Sequence, residues 1–356
     1  ENSKNLFFAY TNISNENILE SPGELLPNKK PSYVSLSEFL NCFSLPKSLL
    51  QTEIGITEAV RLVQEDALSN GVMYLEIRFA PQFHCVKGLT QEKVILAALN
   101  GLQKSKLHTN LILCIMRGNK NKDQNFKTIE LAHKYLVKDN GIVGMDIAGD
   151  EGLFPTRNYK KEFETIKNYG IPFTIHAGEA DGAQSMKSAI DFGAVRLGHG
   201  INGRNDDKLL NEIHKKNIGI EMCPTSNSYI VIKNMKKDYP LLKYLRKGLK
   251  VTINTDDLGI CRTNIKQEFE KIVEWFNLER KDIDTLINNA IDISFTIDDV
   301  KDELRKKDKE DKFNIIPKNS LIDLHCHLDG SISVPIAKEL ADIQNMELPT
   351  DDATKL

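Results

Sequence analysis

Short apolar runs recur along the chain, and between them the apolar positions spread out to a helical spacing. Eight runs read as buried strands: VMYLEIRFA (72–80), LILCIMRG (111–118), GIVGMDIAG (141–149), PFTIHAG (172–178), VRLGHG (195–200), IGIEMCP (218–224), KVTINTDD (250–257) and LIDLHCH (321–327). Most are near-continuous rather than alternating, the pattern of strands covered on both faces, as in a parallel sheet. Between them, GITEAVRLVQEDALSN (55–70), TQEKVILAALNGLQKS (90–105), KLLNEIHKKN (208–217) and IKQEFEKIVEWFN (265–277) carry an amphipathic helical spacing, with Thr90 placed as an N-cap. Strand–helix alternation with eight strands predicts an α/β fold, a (β/α)8 TIM barrel. Such a barrel takes roughly 250 residues. The 356 residues here leave a surplus, mainly before residue 55 and near the C-terminus. Residues 1–50 and 335–356 are expected as helices over the C-terminal mouth of the barrel. The mixed-charge run KDELRKKDKEDK (301–312) reads as a solvated helix end or linker, a junction.

Composition removes several function classes. A net charge of −3 and a pI near 6.3, with no basic patch interleaved with aromatics, argue against a nucleic-acid partner. No apolar stretch is long enough to span a membrane, and ENSKNLFFAYTNIS lacks the basic and apolar regions of a signal peptide. The six cysteines, Cys42, Cys85, Cys114, Cys223, Cys261 and Cys326, form no C-x-x-C pair. That scatter suits free thiols in a reducing compartment, so the expected location is cytoplasmic.

The chemistry gathers at strand ends. In a strand, residues two apart face the same side, so His325 and His327 point together and Cys326 points away. Other strands end in His176 with Glu179 following, in His199, in Asp256 and Asp257, and in the DIAGDE stretch that contains Gly149. A barrel brings such ends to one mouth. Histidines with a carboxylate suit zinc better than magnesium or calcium, which prefer all-oxygen shells. Zinc lowers the pKa of a bound water to ~7, and a nearby glutamate can exchange protons with the substrate. His84, His108, His133 and His214 have no partner pattern and are expected to be structural. Cys85 and Cys223 lie near strand ends without metal-ligand spacing.

Together, HCHLDGS, DIAGDE, HAGEADG, GHG, MCPTSN and NTDD resemble the adenosine deaminase family. The zinc cytidine deaminases differ, with an H-x-E and a P-C-x-x-C that this chain lacks. The resemblance implies that His325, His327, His176 and Asp256 bind one zinc per chain. It implies that Glu179 protonates purine N1 and that His199 holds and deprotonates the attacking water or hydroxide. Asp257 would hydrogen-bond purine N7 and help orient the nucleophile, the Gly149 N–H would reach N3, and Asp329 would bind the ribose 5′-hydroxyl, with His327 also beside the substrate. The reaction implied is deamination of adenosine, and of 2′-deoxyadenosine, to inosine and ammonia by metal-hydroxide attack at C6, a step of purine salvage. The alternative within the same chemistry is an adenine or other 6-aminopurine deaminase. A catalytically dead binding module would lack a metal ligand or Glu179, and all are present. The partner is a small-molecule nucleoside, and the sequence leaves the oligomeric state open, a monomer included.

Two departures from the family pattern stand out. Leu258 follows the paired aspartates where many family members carry proline. The H-x-H strand, first in the family, comes last here. SFTIDDVKDELRKKDKED resembles the family's C-terminal helix and tail, and KFNIIPKNSLIDLHCHLDGS resembles its N-terminus. The resemblance therefore implies a circular permutation within a single domain, 1–356. Residues 1–310 would hold the second to eighth strands, 311–319 the junction, and 320–356 the first strand with its helix.

Overall fold

A computed structural model describes residues 36–311 and 314–350, apart from the side chains of residues 37 and 38. Among the described residues, eight strands occur where apolar runs predicted them: β1 (Val72–Phe79), β2 (His108–Met116), β3 (Ile142–Ala148), β4 (Thr174–Ala177), β5 (Arg196–His199), β6 (Gly219–Met222), β7 (Lys250–Ile253) and β8 (Leu321–His327). They form two parallel four-stranded sheets, in the orders β3-β2-β1-β8 and β4-β5-β6-β7. A single bridge joins the sheets at each seam, Met145 to Phe173 and Asp256 to Cys326. The strands thus follow one another around a ring with helices outside, and β8 closes it between β7 and β1.

The near-continuous apolar runs follow from burial on both faces: every residue of β1, β3, β4, β5, β6 and β8 is buried. The charges inside them are buried too. Arg78 on β1 meets Asp146 of β3 at 2.7 Å and Glu221 of β6 at 2.8 Å. Arg196 on β5 meets Glu76 of β1 at 2.7 Å and Glu221 at 2.6 Å. Removing one member would strand a charge in the interior, at a cost of roughly 3–5 kcal/mol. These pairs tie one sheet to the other and disfavour a slipped register.

Helix Glu53–Ser69 starts where the Thr52 side chain accepts from the Gly55 N–H, and Gln91–Leu102 starts at Thr90 as expected, with the Lys93 N–H on the threonine oxygen. The charged run is a helix end, one of its two expected forms: Asp298–Glu310 is one helix, anchored by buried Leu304 and Asp308. One expectation is corrected. Helix Val334–Ile343 packs against Glu53–Ser69, and Gln344 Nε2 donates to Leu49 O at 2.9 Å; none of residues 334–350 lines the cavity at the mouth. The covering role does hold for residues 36–49. There Leu36, Phe39 and Phe43 pack with Cys261, Tyr229 and Ile230 above the strand ends. Residues 1–35 and 351–356, the rest of the expected cover, lie outside the described residues. Among the described residues no helix is long and apolar enough to cross a membrane.

Candidate active site

His325 and His327 project from the end of β8, and β4 presents His176. His176 Nε2 lies 3.1 Å from both His325 Nε2 and His327 Nε2. Asp256 Oδ1 is 3.2 Å from His325 Nε2 and 3.4 Å from His327 Nε2. The β7–β8 seam sets the aspartate: its N–H donates to His325 O at 2.7 Å, and its own carbonyl accepts from the His327 N–H at 2.8 Å. The cluster therefore draws side chains from both sheets and sits on the line where the ring closes.

Buried carboxylates stand behind two of the imidazoles. Asp146 Oδ2 is 2.7 Å from His176 Nδ1, and Glu221 Oε2 is 2.8 Å from His325 Nδ1. Burial alone would raise both carboxyls. His176 and Arg78 hold Asp146 well below the usual range, and Arg78 and Arg196 hold Glu221 below it. Ionised acids there favour a proton on Nδ1 of each ring, which turns the Nε2 atoms toward each other at 3.1 Å. Two lone pairs at that distance repel unless a proton or a metal cation lies between them. Three imidazole nitrogens and one carboxylate oxygen, mutually within 4.8 Å, fit a zinc-sized ion.

His199 and Asp256 take left-handed backbone angles, φ 63° and 62°, which non-glycine residues adopt rarely and at a cost of about 1–3 kcal/mol. Both conformations occur where a chain leaves its strand beside the cluster. Tyr239 Oη donates to Asn227 Oδ1 at 3.2 Å, which turns the Asn227 amide nitrogen toward His199 Nδ1 at 3.0 Å. The neutral His199 ring then carries its proton on Nε2, 3.7 Å from Glu179 Oε2 and 3.9 Å from Asp256 Oδ2. Burial holds His199 well below its ordinary pKa. Burial, and after it Asp256 and Glu151, push the Glu179 carboxyl well up, which favours its neutral acid form. Asp257 is likewise pushed well up by burial and by Asp256, and its Oδ1 has no partner among the described residues. It lies so close to Gly330 that a Cβ there would fall 1.8 Å from Oδ1. Gly149, at φ 103°, brings backbone to the cavity wall in a conformation a side chain would strain. Leu258 is buried, and Gly259 and Ile260 both donate to Gly330 O, so the loop after the paired aspartates is anchored without a proline.

These groups line one cavity at the strand ends. His176, His327, His199, Glu179 and Asp256 form its floor, Leu36, Phe39, Leu40 and Phe43 its apolar cover, and Lys47 and Asp329 its outer end. All the residues singled out from the sequence gather here, with His325 just beneath the lining. His108, His133 and His214 lie elsewhere, against Asp139, Tyr169 and Gly248 O. His84 is buried beside the cavity, and burial pushes it down to about 4; Asp329 acts against that shift and Lys47 with it. Cys223 also departs from its spacing, since its Sγ comes within 4.8 Å of ligand atoms of His199, Asp256 and His325; burial raises its thiol. Sequence reasoning missed Asp146, Glu221, Asn227, Tyr239 and Lys47. A signal existed for the acids: each is a lone charge inside an apolar strand, which requires a buried partner. None existed for Lys47.

The adenosine deaminase family matches residues 20–310, a stretch that stops short of β8. The adenosine deaminase of Haemophilus ducreyi is 41% identical over 275 residues, 76% of this chain and 80% of that protein. The adenosine deaminase of Clostridium perfringens strain SM101 is 33% identical over 276 residues, 76% of this chain and 82% of that one. Among solved structures, the adenine deaminase of Arthrobacter aurescens is similar with a TM-score of 0.73 and 25% identity, covering 86% of this chain and 94% of that one. The match over most of the chain, on the fold that builds this cavity, shows that the chain belongs to the adenosine deaminase family.

Proposed function

We propose that the protein hydrolyses the 6-amino group of adenosine and 2′-deoxyadenosine, releasing inosine or deoxyinosine and ammonia, with one zinc held by His325, His327, His176 and Asp256. The observation that carries this reading is the convergence, in one cavity, of three histidine nitrogens and a carboxylate placed to hold a metal ion with the buried carboxyl of Glu179, whose burial favours the protonated form. Zinc at that cluster would supply Lewis acidity that makes water nucleophilic near neutral pH. Glu179, protonated, donates to purine N1 and makes C6 more electrophilic. Asp257, protonated, donates to N7, and the Gly149 N–H donates to N3, so three points fix the ring plane. His199 donates from Nε2 and holds the attacking oxygen; taking its proton requires the ring to pass through its other tautomer. Asp329 accepts from the ribose 5′-hydroxyl at the outer end. The apolar cover excludes bulk water and strengthens each of these interactions.

The adenine reading has one supporting observation, the likeness to the Arthrobacter enzyme. The polar outer end, with Lys47 and Asp329 on the cavity wall, favours a substrate that carries a sugar. Ammonia release from adenosine, deoxyadenosine, adenine and AMP by zinc-loaded protein separates the readings. Adenosine turnover well above that of adenine is expected, and adenine alone being deaminated would overturn the nucleoside reading.

The family order of elements supports a further part of the proposal. We read β8 with the helix after it as the first unit of the family barrel, in one domain with residues 36–311. The family match ending at residue 310 and the pairing of β8 with β1 support that reading. A reordered gene that opens near Asp311 and links Leu356 to Glu1 should yield an equally active enzyme. A reordered chain that folds but cannot deaminate would sink it.

A further inference from the structure

Glu179 sits on a turn that belongs to no strand or helix: β4 ends at Ala177 and the next helix begins at Ala183. Nothing in regular secondary structure holds the reacting carboxyl in place. Glu151, 1% exposed, lies under this turn. Its Oε1 accepts from the Gly178 N–H at 2.7 Å. Its Oε2 accepts from the N–H groups of Glu179 at 2.9 Å, Ala180 at 2.8 Å and Asp181 at 3.1 Å. Four successive backbone donors thus close on one carboxylate, the arrangement of an anion-binding nest. Gly178, at φ 78°, supplies the left-handed residue that curves the chain around it. From the other side, Asn202 Nδ2 donates to Glu179 O at 2.8 Å and to Asp181 O at 3.0 Å.

Glu151 has no ion pair within 4 Å among the described residues. The buried Arg117 guanidinium acts on it electrostatically from beyond that distance, while its two terminal nitrogens donate to Phe154 O, Thr156 Oγ1 and His176 O. The direct partners of the carboxylate are therefore the N–H groups of the turn.

We infer that Glu151 is a positioning residue of the proposed reaction: its carboxylate, by holding four consecutive N–H groups, fixes the turn that aims Glu179 into the cavity. The inference rests on the deaminase reading for its consequence and on the four hydrogen bonds for its geometry. A misplacement of about 1 Å in a reacting group can lower turnover ~10²-fold. A glutamine retains one acceptor oxygen and sets an amide N–H₂ against backbone donors, so the turn loosens while the side-chain volume stays the same.

The test uses Glu151→Gln alone and combined with Glu179→Gln, in zinc-loaded full-length protein. Hydrogen exchange of the amides of residues 178–181 should quicken in Glu151→Gln, with the barrel strands unchanged; unaltered exchange there overturns the cradle. In the single variant, kcat for adenosine should fall by about 10–100-fold, with KM and bound metal near their starting values. Loss of metal in step with activity overturns the positioning role. In the Glu179→Gln background, Glu151→Gln should cost nothing further, because there is no reacting carboxyl left to aim. An equal additional loss in both backgrounds marks a general structural role and overturns the inference. If the glutamine variant does not fold, Glu151→Asp, which keeps the charge but withdraws it by one methylene, is read by the same three measurements. Starting protein that releases no ammonia from adenosine removes the reaction itself. Normal turnover with unaltered exchange in the variant removes only the role of Glu151.

Discussion

At the floor of the cavity, His176 and His325 are backed by Asp146 and Glu221, and both acids meet Arg78. At the outer end, Lys47 lies over the rings of Phe83 and Phe43, at 4.6 and 5.3 Å, and no ion pair joins it to Asp329. Buried His84 has no side-chain hydrogen-bond partner among the described residues, and Leu50 backbone lies beside its ring. One end is a closed network and the other is a set of polar groups with few mutual bonds. The difference teaches where geometry is spent. A closed network holds its members in place before any ligand arrives, so nothing need reorganise during reaction. Loosely bonded polar groups next to a cavity are satisfied by the right ligand and left unpaired by the wrong one, which is how a pocket discriminates. Changes at the floor should therefore strike metal binding and turnover, and changes at the outer end should strike the choice of substrate.

The sharpest test of that division is at the floor. His176→Ala should lose metal and activity together, which elemental analysis of the purified variant reads directly. Full zinc content would remove His176 from the ligand set. Glu179→Gln should keep zinc and nucleoside binding while turnover falls about 10²–10⁴-fold, because the amide cannot cycle a proton. The same residue sets the pH dependence. Its carboxyl is pushed up, the acid form is the donor, and so activity is held below the raised pKa and lost as pH rises through it. A pH–rate profile whose alkaline limb is unchanged in the glutamine variant would assign that limb elsewhere.

Glu221→Gln reaches the metal only through His325. It should weaken zinc binding about 10–100-fold without abolishing it, as measured by competition with a chelator of known affinity. Unchanged affinity would show that the closed network contributes nothing to the cluster. The smallest and most selective effect belongs to the outer end. Asp329→Ala should lower kcat/KM for adenosine by about 10–100-fold, the size of one hydrogen bond to a charged group, and should hardly affect 5′-deoxyadenosine. Equal losses on both substrates would erase the contrast between the two ends.

Much of the floor was legible before any coordinates. His325 and His327 were paired by the two-residue period of a strand, and His176, His199, Asp256 and Asp257 by their place at strand ends. The acids behind them were not, although Asp146 and Glu221 stand out as lone charges in GIVGMDIAG and IGIEMCP. A strand pattern says that such a charge is buried and must be paired, not with whom. The extent of the helix Asp298–Glu310 was only partly legible, because in so dense a charge run only Leu304 and Asp308 mark its buried face. The cover over the mouth was half legible: residues 36–49 lie there as expected, but Val334–Ile343 packs instead against the helix Glu53–Ser69.

Periodicity is a local property, so strands, most helices, their alternation and the ring they imply follow from the chain read in order. The resemblance of six short motifs to one family follows likewise. Partnership across the ring does not. His325 faces His176 across 149 positions, and Arg78 reaches Glu221 across 143. Those pairs exist because the two sheets meet at the β3–β4 and β7–β8 seams and turn their inner faces toward each other. Ring closure decided which carboxylate backs which imidazole, which lone pairs collide, and that Glu151 lies beneath the turn of Glu179. Each depends on the positions of strands far apart in sequence, which no window of neighbouring residues contains.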